Sequence, residues 1–342
     1  MYTPRVEGLI RSVRDWIEIP SVTGAEGDYA DALKREFEQR GFQVELQRVA
    51  EGRANLLARA GVPRVVFCTH LDTVPPFFGS SEDSDFIYGR GSCDAKGQAA
   101  VMLAAGTRLL AEGEDRIGFL FTVGEEVDSA GASFANARLT DPWKPAYVIV
   151  GEPTGGRFIK SGKGIYKAHL SASGVAGHSS KPLGPSAVHE LVSCTHRLLS
   201  ASWGQHAVHG EGSLNVGLFS GGVAPNVTAD HAEASVLIRT VEPFDDVHAR
   251  VAAELGERVR FRDEPFGYAP IEFHVPAGEE GDAVGFGTDA PYLSNWGTPL
   301  LFGPGAIEDA HTDHEKVAKR DLISAVDRHV RVVRDLLAGL DA

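Results

Sequence analysis

Apolar and polar residues fall into blocks along the first part of the chain, and the length of each block predicts its structure. Residues 64–69, 117–123 and 147–150 are short, nearly continuous apolar runs, whereas residues 29–40 and 99–110 are longer and helical in pattern. Short apolar runs separated by helices are typical of parallel strands buried on both faces. The pattern therefore predicts an α/β unit whose largely parallel sheet is covered by helices on both faces.

The pattern changes near residue 163, where strict alternation of polar and apolar residues replaces the apolar runs. Four strands and two amphipathic helices are predicted in the order strand, helix, strand, strand, helix, strand: 167–173, 186–199, 214–219, 232–239, 244–257 and 258–262. This order is that of a ferredoxin-like α+β unit. We therefore predict an inserted lid or dimerisation domain at residues 163–265. It interrupts a discontinuous domain of residues 1–162 and 266–342, which an amphipathic helix over 321–340 closes.

Composition agrees with a division into two domains and disfavours nucleic acid and membranes as binding partners. A chain of 342 residues is long enough for two domains. Its formal net charge of −14 disfavours binding to nucleic acid, because few cations are present to neutralise phosphates. No apolar run reaches the ~20 residues that span a bilayer, and the N-terminus lacks the apolar core of a signal peptide. With only three cysteines, we expect a cytoplasmic protein that binds no membrane.

Potential metal ligands follow the predicted strands at the points where they end. His70 and Asp72 follow the first strand, Glu125 and Glu126 the second, and Glu152 the third. In open α/β sheets, ligands bind at the carboxyl ends of the strands. Asp94 lies in a glycine-flanked turn before a helix. Several carboxylates converging there would repel one another, and one or two divalent cations would relieve that repulsion.

Each of these residues also has an ordinary structural explanation. A lone His-x-Asp is usually a surface hydrogen bond, adjacent glutamates are usually solvated, and Glu152 or Asp94 can cap a turn or helix. Taken together, three strand ends that each carry a potential ligand favour a metal site. Imidazole with carboxylates favours zinc. Asp72 can orient His70, while one of Glu125 and Glu126 binds metal and the other serves as general base.

A series of motifs resembles the dinuclear zinc aminoacylase, carboxypeptidase and deacylase superfamily, which includes acetylornithine deacetylase and succinyl-diaminopimelate desuccinylase. The motifs occur in the family's order and span nearly the whole chain: His70-Leu-Asp-Thr-Val74, Gly89-Arg-Gly-Ser-Cys-Asp-Ala-Lys-Gly97, Gly124-Glu-Glu126, Gly151-Glu-Pro-Thr154, Gly177-His-Ser-Ser180, Ala224-Pro-Asn-Val227, Gly287-Thr-Asp-Ala-Pro291, Phe302-Gly-Pro-Gly305 and Ala310-His311.

The resemblance implies a role for each matched metal-site residue. His70 and Glu152 would bind one zinc ion, and Glu126 and His311 the other, with cobalt able to substitute for zinc. The remaining matches are Asp94, which would bridge the ions, Asp72, which would support His70, and Glu125, which would be the general base. Glu125 would activate water and later pass the proton to the leaving amine.

The resemblance also implies substrate contacts. His178 would stabilise the oxyanion when the inserted domain closes, often across a homodimer interface formed by that domain. Asn226 and Arg239 would hold the substrate carboxylate, a task that suits an arginine fork, and Thr288 would contact the substrate. The ordinary alternatives are that Asn226 caps a turn and that Arg239 pairs on a strand face.

Metal-dependent hydrolysis of an N-acetyl basic amino acid, such as N-acetylornithine, is the function that the motifs favour. A role in arginine or lysine biosynthesis would follow. Alternatives with the same chemistry are acetylcitrulline deacetylase, carrier-protein-linked lysine or ornithine hydrolase, succinyl-diaminopimelate desuccinylase and dipeptidase. A non-catalytic metal-binding homologue is a further alternative, but such a protein is expected to have lost Glu125 or a ligand, and this chain keeps them all.

Overall fold

The structure, a computed structural model, describes residues 4–342 and divides into two compact units. Unit 1 comprises the chain up to Lys160, Phe273–Asp282 and Thr288–Ala342, and unit 2 comprises Ser161–Glu272 and Ala283–Gly287. Unit 2 therefore begins at Ser161 rather than at residue 163. Its first segment ends at Glu272 rather than at residue 265, because strands that follow the predicted end still pair within unit 2.

The α-helices of the described chain, in order, are α1 (Pro4–Ile17), α2 (Gly27–Gln39), α3 (Lys96–Ala111), α4 (Ala130–Ala137), α5 (Ala187–Ser200), α6 (Phe244–Glu254) and α7 (Lys319–Asp341). A 3-10 turn covers Ala290–Tyr292. Helix α2 ends just before Gly41, whose φ of 91° is a left-handed conformation that favours glycine. Helix α3 is buried on nearly all sides, so it shows no polar face.

The strands, in chain order, are β1 (Gln43–Ala50), β2 (Arg53–Arg59), β3 (Val65–His70), β4 (Ser81–Glu82), β5 (Phe86–Tyr88), β6 (Ile117–Thr122), β7 (Tyr147–Val150), β8 (Phe158–Gly162), β9 (Gly164–Ser173), β10 (Gly177–His178), β11 (Gln205–His206), β12 (Gly210–Glu211), β13 (Ser213–Gly221), β14 (Val227–Thr228), β15 (His231–Thr240), β16 (Val259–Phe261), β17 (Phe266–Tyr268), β18 (Ile271–Glu272), β19 (Gly281–Val284), β20 (Thr298–Leu301) and β21 (Lys316–Ala318).

The main sheet of unit 1 has a parallel centre and antiparallel edges. Its strand order is β1-β2-β6-β3-β7-β20-β8. The four central strands β6, β3, β7 and β20 run parallel, whereas β1, β2 and β8 are antiparallel to their neighbours. The predicted largely parallel sheet is confirmed. The edge hairpin β1–β2 was not predicted, because polar residues interrupt the apolar residues in both strands.

Helices cover both faces of this sheet, as predicted, but unequally. Helices α1, α2, α3 and α7 share one apolar core with the first face, where the rings of Phe37 in α2 and Phe119 in β6 lie 4.8 Å apart. Side chains alternate along a strand, so Asn55 points to the opposite face from its buried neighbour Leu56. There, Asn55 donates a 2.8 Å hydrogen bond to the carbonyl of Gly131 in α4.

Unit 2 contains the predicted ferredoxin-like arrangement. Its sheet has the order β13-β15-β9-β16, and every pairing is antiparallel. Helices α5 and α6 pack on this sheet around a separate apolar core. The order of elements and their alternation were sufficient to predict this unit, since the central strands β9 and β15 bury every second residue.

None of the helices in residues 4–342 is long and apolar enough to cross a bilayer. The three cysteines Cys68, Cys93 and Cys194 are all buried and free.

A buried histidine in the core of unit 1 is expected to make the protein less stable in acid. His329 of α7 stacks on Phe302 at 4.3 Å and contacts Ala325 O through Nδ1, while its Nε2 has no hydrogen-bond partner. Burial lowers the pKa of His329 to about 4. The unfolded chain therefore takes up a proton near pH 6.5 that the folded chain refuses, and stability is lost as the pH falls below that value.

We expect His329→Phe to remove this component of the pH dependence. Between pH 7.5 and pH 5.0, the fall in unfolding free energy should shrink by about 2 kcal/mol, given the shift in the pKa of His329. Urea unfolding of metal-free wild-type and variant proteins at both pH values measures this difference. Equal falls in the two proteins would contradict the argument.

Candidate metal centre

The fold brings the predicted ligands of unit 1 to one edge of the main sheet. His70 is the last residue of β3, Glu126 lies just beyond β6, and Glu152 lies just beyond β7. These strands are parallel neighbours of β3, so their carboxyl ends lie side by side. Asp94 is in the turn before α3, and His311 precedes β21. The end of β3 and four separate loops therefore supply these side chains, and the sheet fixes where the loops of Glu126 and Glu152 begin.

One ligand group consists of His70, Asp94 and Glu152, all of them buried. The Nε2 atom of His70 lies 2.8 Å from Oδ1 of Asp94 and 3.9 Å from Oε2 of Glu152. The three ligand atoms lie within 4.8 Å of one another, which is close enough for a single cation to contact all of them.

A second group consists of Asp94, Glu126 and His311. The Nε2 atom of His311 lies 3.2 Å from Oδ2 of Asp94 and 2.9 Å from Oε2 of Glu126. His311 has a φ of 63°, a left-handed conformation that is costly for a residue with a Cβ. The backbone is therefore held in a strained state at the residue that presents the imidazole.

Asp94 belongs to both groups, with one carboxylate oxygen toward each histidine. Two sets of one imidazole and two carboxylates, joined by a shared carboxylate, have the composition expected of a dinuclear site with nitrogen and oxygen ligands. The residues present therefore fit two divalent cations.

Electrostatics support this fit. Burial and the negative charge of Glu152 raise the pKa of Glu125 well above its usual value. Burial likewise raises the pKa of Glu152, against the opposing effect of His70. Hydrogen bonds to Asp94 and Glu126 raise the pKa of His311 to about 10. Without metal, the histidines hold protons that partly balance the acids, and divalent cations would supply that positive charge instead.

Asp72 organises the loop that carries Glu125 and Glu126. Its Oδ1 accepts hydrogen bonds from the backbone N–H groups of Gly124 at 3.0 Å and Glu125 at 3.1 Å. Its Oδ2 accepts hydrogen bonds from the Glu126 N–H at 3.2 Å and from the hydroxyl of Thr23 at 2.8 Å. Both oxygens of the buried carboxylate are therefore occupied. The loop is fixed by a residue that follows the neighbouring strand.

This arrangement changes how Asp72 supports His70. The imidazole Nδ1 lies 2.9 Å from the backbone carbonyl of Asp72, whereas the carboxylate Oδ1 lies 3.6 Å away. The nearest contact therefore comes from the main chain of Asp72. Its side chain is turned toward the backbone amides of the next loop.

The predicted substrate residues of unit 2 fall in two places. The backbone N–H of Ser179, which follows the exposed His178, donates to the carbonyl of the exposed Asn226 at 3.0 Å. Arg239 lies on β15, half-buried, and its Nη1 atom is buried without a hydrogen-bond partner. In unit 1, the hydroxyl of the buried Thr288 accepts a hydrogen bond from the N–H of Ala290.

Comparison with known proteins identifies the family. Residues 66–335 match the family model described as peptidase family M20/M25/M40. The chain belongs to this family. A peptidase M20 domain-containing protein of Schizosaccharomyces pombe is 34% identical, over 96% of this chain and 85% of that protein. A probable carboxypeptidase of Aspergillus clavatus is 31% identical, over 96% of this chain and 89% of its own length.

The M20 fold is also evident in a solved structure. The aminopeptidase PepT of Bacillus cereus superposes with a TM-score of 0.79 at 20% identity, covering 97% of this chain and 99% of that chain. By its family, this protein is an M20-family metallopeptidase and a hydrolase, and its two ligand groups are candidates to hold metal ions. The names of these two relatives, a peptidase M20 domain-containing protein and a probable carboxypeptidase, do not specify a deacetylase.

Sequence reasoning missed several residues that shape the M20 site. Arg90 and Glu315 form a buried ion pair at 2.7 Å beside the Asp94 turn. Thr122 donates a 2.5 Å hydrogen bond to Asp289. Burial raises the pKa of Asp289 to about 6. Arg90 and Asp289 both lie within the family motifs, and Glu315 follows His311 by four residues. Their partners are distant in sequence, so spacing alone gave no sign of these contacts.

We expect Asp72→Asn to weaken the site while leaving the fold intact. An amide has one accepting oxygen, so its NH₂ group would face the donors that now bind the second oxygen. Metal affinity or turnover should fall roughly 10–100-fold, as is typical for partners of metal ligands. Thr23→Ser, which keeps the hydroxyl donor, is the matched control and should behave as wild type. Cobalt titration with steady-state kinetics provides the measurement, and an unimpaired Asp72→Asn protein would refute the argument.

Proposed function

We propose that this protein is a two-metal amidohydrolase that cleaves the amide between an acyl group and the amino nitrogen of an amino acid with a free α-carboxylate. The observation that carries this proposal is the pair of ligand groups joined through Asp94. Glu125 lies beside them in the loop held by Asp72. Two metal ions held by these side chains, together with one further carboxylate, would provide the groups needed to hydrolyse an unactivated amide.

The proposed ions are two Zn²⁺, with Co²⁺ able to substitute, since each group contains one imidazole and carboxylates. His70, Glu152 and Asp94 would hold one ion, and His311, Glu126 and Asp94 the other. When bound, such ions polarise the substrate carbonyl and lower the pKa of the attacking water.

Glu125 is the proposed general base. It would take a proton from the attacking water and then donate that proton to the departing amine nitrogen. Burial and the neighbouring charge of Glu152 raise the pKa of Glu125. A raised pKa makes the carboxylate a better proton acceptor for the water, and the acid that forms is the donor to the amine.

Recognition of the substrate carboxylate is proposed for Arg239 and Asn226. The unpartnered, buried Nη1 of Arg239 supports this role, because a buried cationic donor without a partner is costly unless a ligand completes it. His178 is proposed to stabilise the oxyanion, and Thr288 to contact the substrate. Motif positions support these last two roles.

Among substrates, we propose an N-acetyl basic amino acid, with N-acetylornithine first. The support is the resemblance of Gly151-Glu-Pro-Thr154 and Phe302-Gly-Pro-Gly305 to acetylornithine deacetylase motifs, together with the acidic charge balance. Such an activity would belong to arginine or lysine biosynthesis. The buried, unpaired cysteines are compatible with the reducing cytoplasm that this pathway role implies.

A second candidate is a carboxypeptidase that acts on short peptides. The Aspergillus clavatus relative, aligned along 96% of this chain, is named a probable carboxypeptidase. A peptide with a free C-terminal carboxylate presents the same amide beside the same charged group. The two candidates differ only in the acyl side, where acetyl is replaced by an aminoacyl or peptidyl group.

Purified protein loaded with Zn²⁺ or Co²⁺ should be assayed for amine release from a matched panel. N-acetylornithine, N-acetyllysine, N-acetylcitrulline and N-succinyl-diaminopimelate test the deacylases, and dipeptides and tripeptides test the peptidase. A dominant rate on N-acetylornithine supports the first candidate, and a dominant rate on peptides supports the second. No cleavage of any substrate by protein that holds two metals would overturn both.

We also propose a homodimer formed through unit 2. Strand β13 lies at the edge of its sheet and pairs only with β15 within residues 4–342. It exposes 69% of Leu218 and 43% of Phe219, and α5 exposes Leu199. Open edges with apolar side chains favour pairing with another chain. Light scattering of the wild type should give twice the mass of one chain, and Leu218→Glu should lower the measured mass to that of a single chain. A monomeric wild type would refute the dimer.

A further inference from the structure

A buried ion pair lies behind the shared ligand Asp94. The side chain of Glu315 is fully buried, and Arg90 is only 1% exposed. The Arg90 guanidinium donates from Nη1 to Oε2 of Glu315 at 2.7 Å and from Nε to the carbonyl of Pro76 at 3.2 Å. Its Cζ lies 5.0 Å from the centre of the Phe78 ring. The guanidinium is therefore fixed by three neighbours.

The other carboxylate oxygen of Glu315 binds the turn that presents Asp94. Oε1 accepts the backbone N–H groups of Cys93 and Asp94, each at 3.1 Å. The backbone carbonyl of Glu315 accepts the N–H of Gly89 at 3.0 Å. Glu315 therefore holds both ends of the turn from Gly89 to Asp94, one end through its backbone and the other through its side chain.

The same segment carries His311, four residues before Glu315. Asp94 meets His311 through Oδ2 and meets His70 through Oδ1. A shift of the Asp94 backbone would therefore change its distance to both histidines at once. Glu315 connects the backbone of the shared ligand to the loop of one of those histidines.

We propose that Glu315 and Arg90 are a positioning pair that fixes Asp94 against His311 and so sets the spacing of the two metal sites. This inference rests on the dinuclear centre of the proposed function. A buried ion pair gains little stability over packed apolar side chains, because its desolvation is expensive. Its benefit here is geometric: Arg90 holds the Glu315 carboxylate at the angle that lets one oxygen accept two adjacent amides.

Glu315→Gln provides the sharpest test, because it keeps size and removes charge. If the glutamine oxygen faces the amides, its NH₂ group faces the Arg90 donor; if it turns around, the NH₂ group faces the amides. In either orientation, the glutamine loses its contact with Arg90 or its contact with the backbone amides of Cys93 and Asp94. Glu112→Gln is the matched control, since Glu112 also pairs with two arginines in unit 1, Arg108 and Arg334, but is exposed and follows the end of α3 that is distant from the Asp94 turn.

Three quantities should be measured: amide hydrogen exchange at Cys93 and Asp94 in metal-free protein, Co²⁺ affinity and stoichiometry by calorimetry, and the visible absorption of bound Co²⁺. We expect Glu315→Gln to speed exchange at both amides, to weaken at least one Co²⁺ site roughly 10–100-fold, and to change the spectrum. Glu112→Gln should match wild type in all three quantities.

A Glu315→Gln protein that is only less heat-stable, with unchanged exchange, affinity and spectrum, would overturn the proposal and leave a structural role. If Glu315→Gln does not fold, Arg90→Lys replaces it, because lysine keeps the charge but cannot bind Glu315 and Pro76 together as the guanidinium does. If wild type binds fewer than two Co²⁺ ions, the proposed function fails. Amide exchange in the metal-free proteins would then still decide whether Glu315 fixes the turn.

Discussion

Glu125→Gln should reduce turnover of the best substrate by about 10²–10⁴-fold, the usual contribution of a general acid–base residue. Glutamine keeps the size of the side chain but cannot take a proton from water at neutral pH. Glu125 belongs to neither ligand group, so both ions should remain bound. Steady-state kinetics together with metal analysis of the same preparation measures the two effects.

The control for this prediction is Glu308→Gln, which makes the same chemical change at an exposed position. It should retain wild-type turnover and metal content. A Glu125→Gln protein that holds two metals and keeps turnover within a few-fold of wild type would remove Glu125 from the mechanism. Loss of metal along with turnover would instead make Glu125 a ligand.

Asp94→Asn is expected to have the broadest effect on metal binding, because Asp94 is the one residue common to both ligand groups. The amide is neutral, and only one of its two terminal atoms can act as a ligand. Each histidine now faces a separate carboxylate oxygen of Asp94, so one of the two groups must lose its contact entirely. Affinity for both ions should fall, and activity should fall below detection.

Single-group variants separate this effect from general damage. Glu152→Gln changes only the group that contains His70, and Glu126→Gln changes only the group that contains His311. Each should weaken one ion, whereas Asp94→Asn should weaken both. Metal analysis and Co²⁺ titration of the three folded variants provide the comparison. Two tightly bound ions in Asp94→Asn would show that this carboxylate does not bridge.

An acetylated amino acid and a short peptide present the same reacting group to this site. In both, the scissile amide lies next to a free carboxylate, and the residues proposed to bind that carboxylate are the same. The two kinds of substrate differ only in the acyl group, so their rates of cleavage must be compared on one metal-loaded preparation.

Much of the fold could be predicted from local pattern. The buried strands β3, β6 and β7 are short apolar runs, and the alternation along β9 and β15 marks strands with one buried side. The hairpin β1–β2 and the short strands near residues 81–88 escaped prediction. Strands β1, β4 and β5 bury almost none of their side chains, and in β2 the buried Asn55 interrupts the apolar residues, so no clear apolar run marks these strands.

The sequence by itself determined the order of the main buried elements, the inserted unit and the ligand candidates His70, Asp94, Glu126 and Glu152, because each follows from neighbours along the chain; His311 came from the resemblance of the motifs. Only the tertiary structure decided what those ligands meet. It turned the Asp72 carboxylate to the amides of the Glu125 loop and paired Arg90 with Glu315, residues 225 positions apart. Such contacts depend on which loops the sheet brings together at one edge. The separation of two residues along the chain does not predict how close they lie in space.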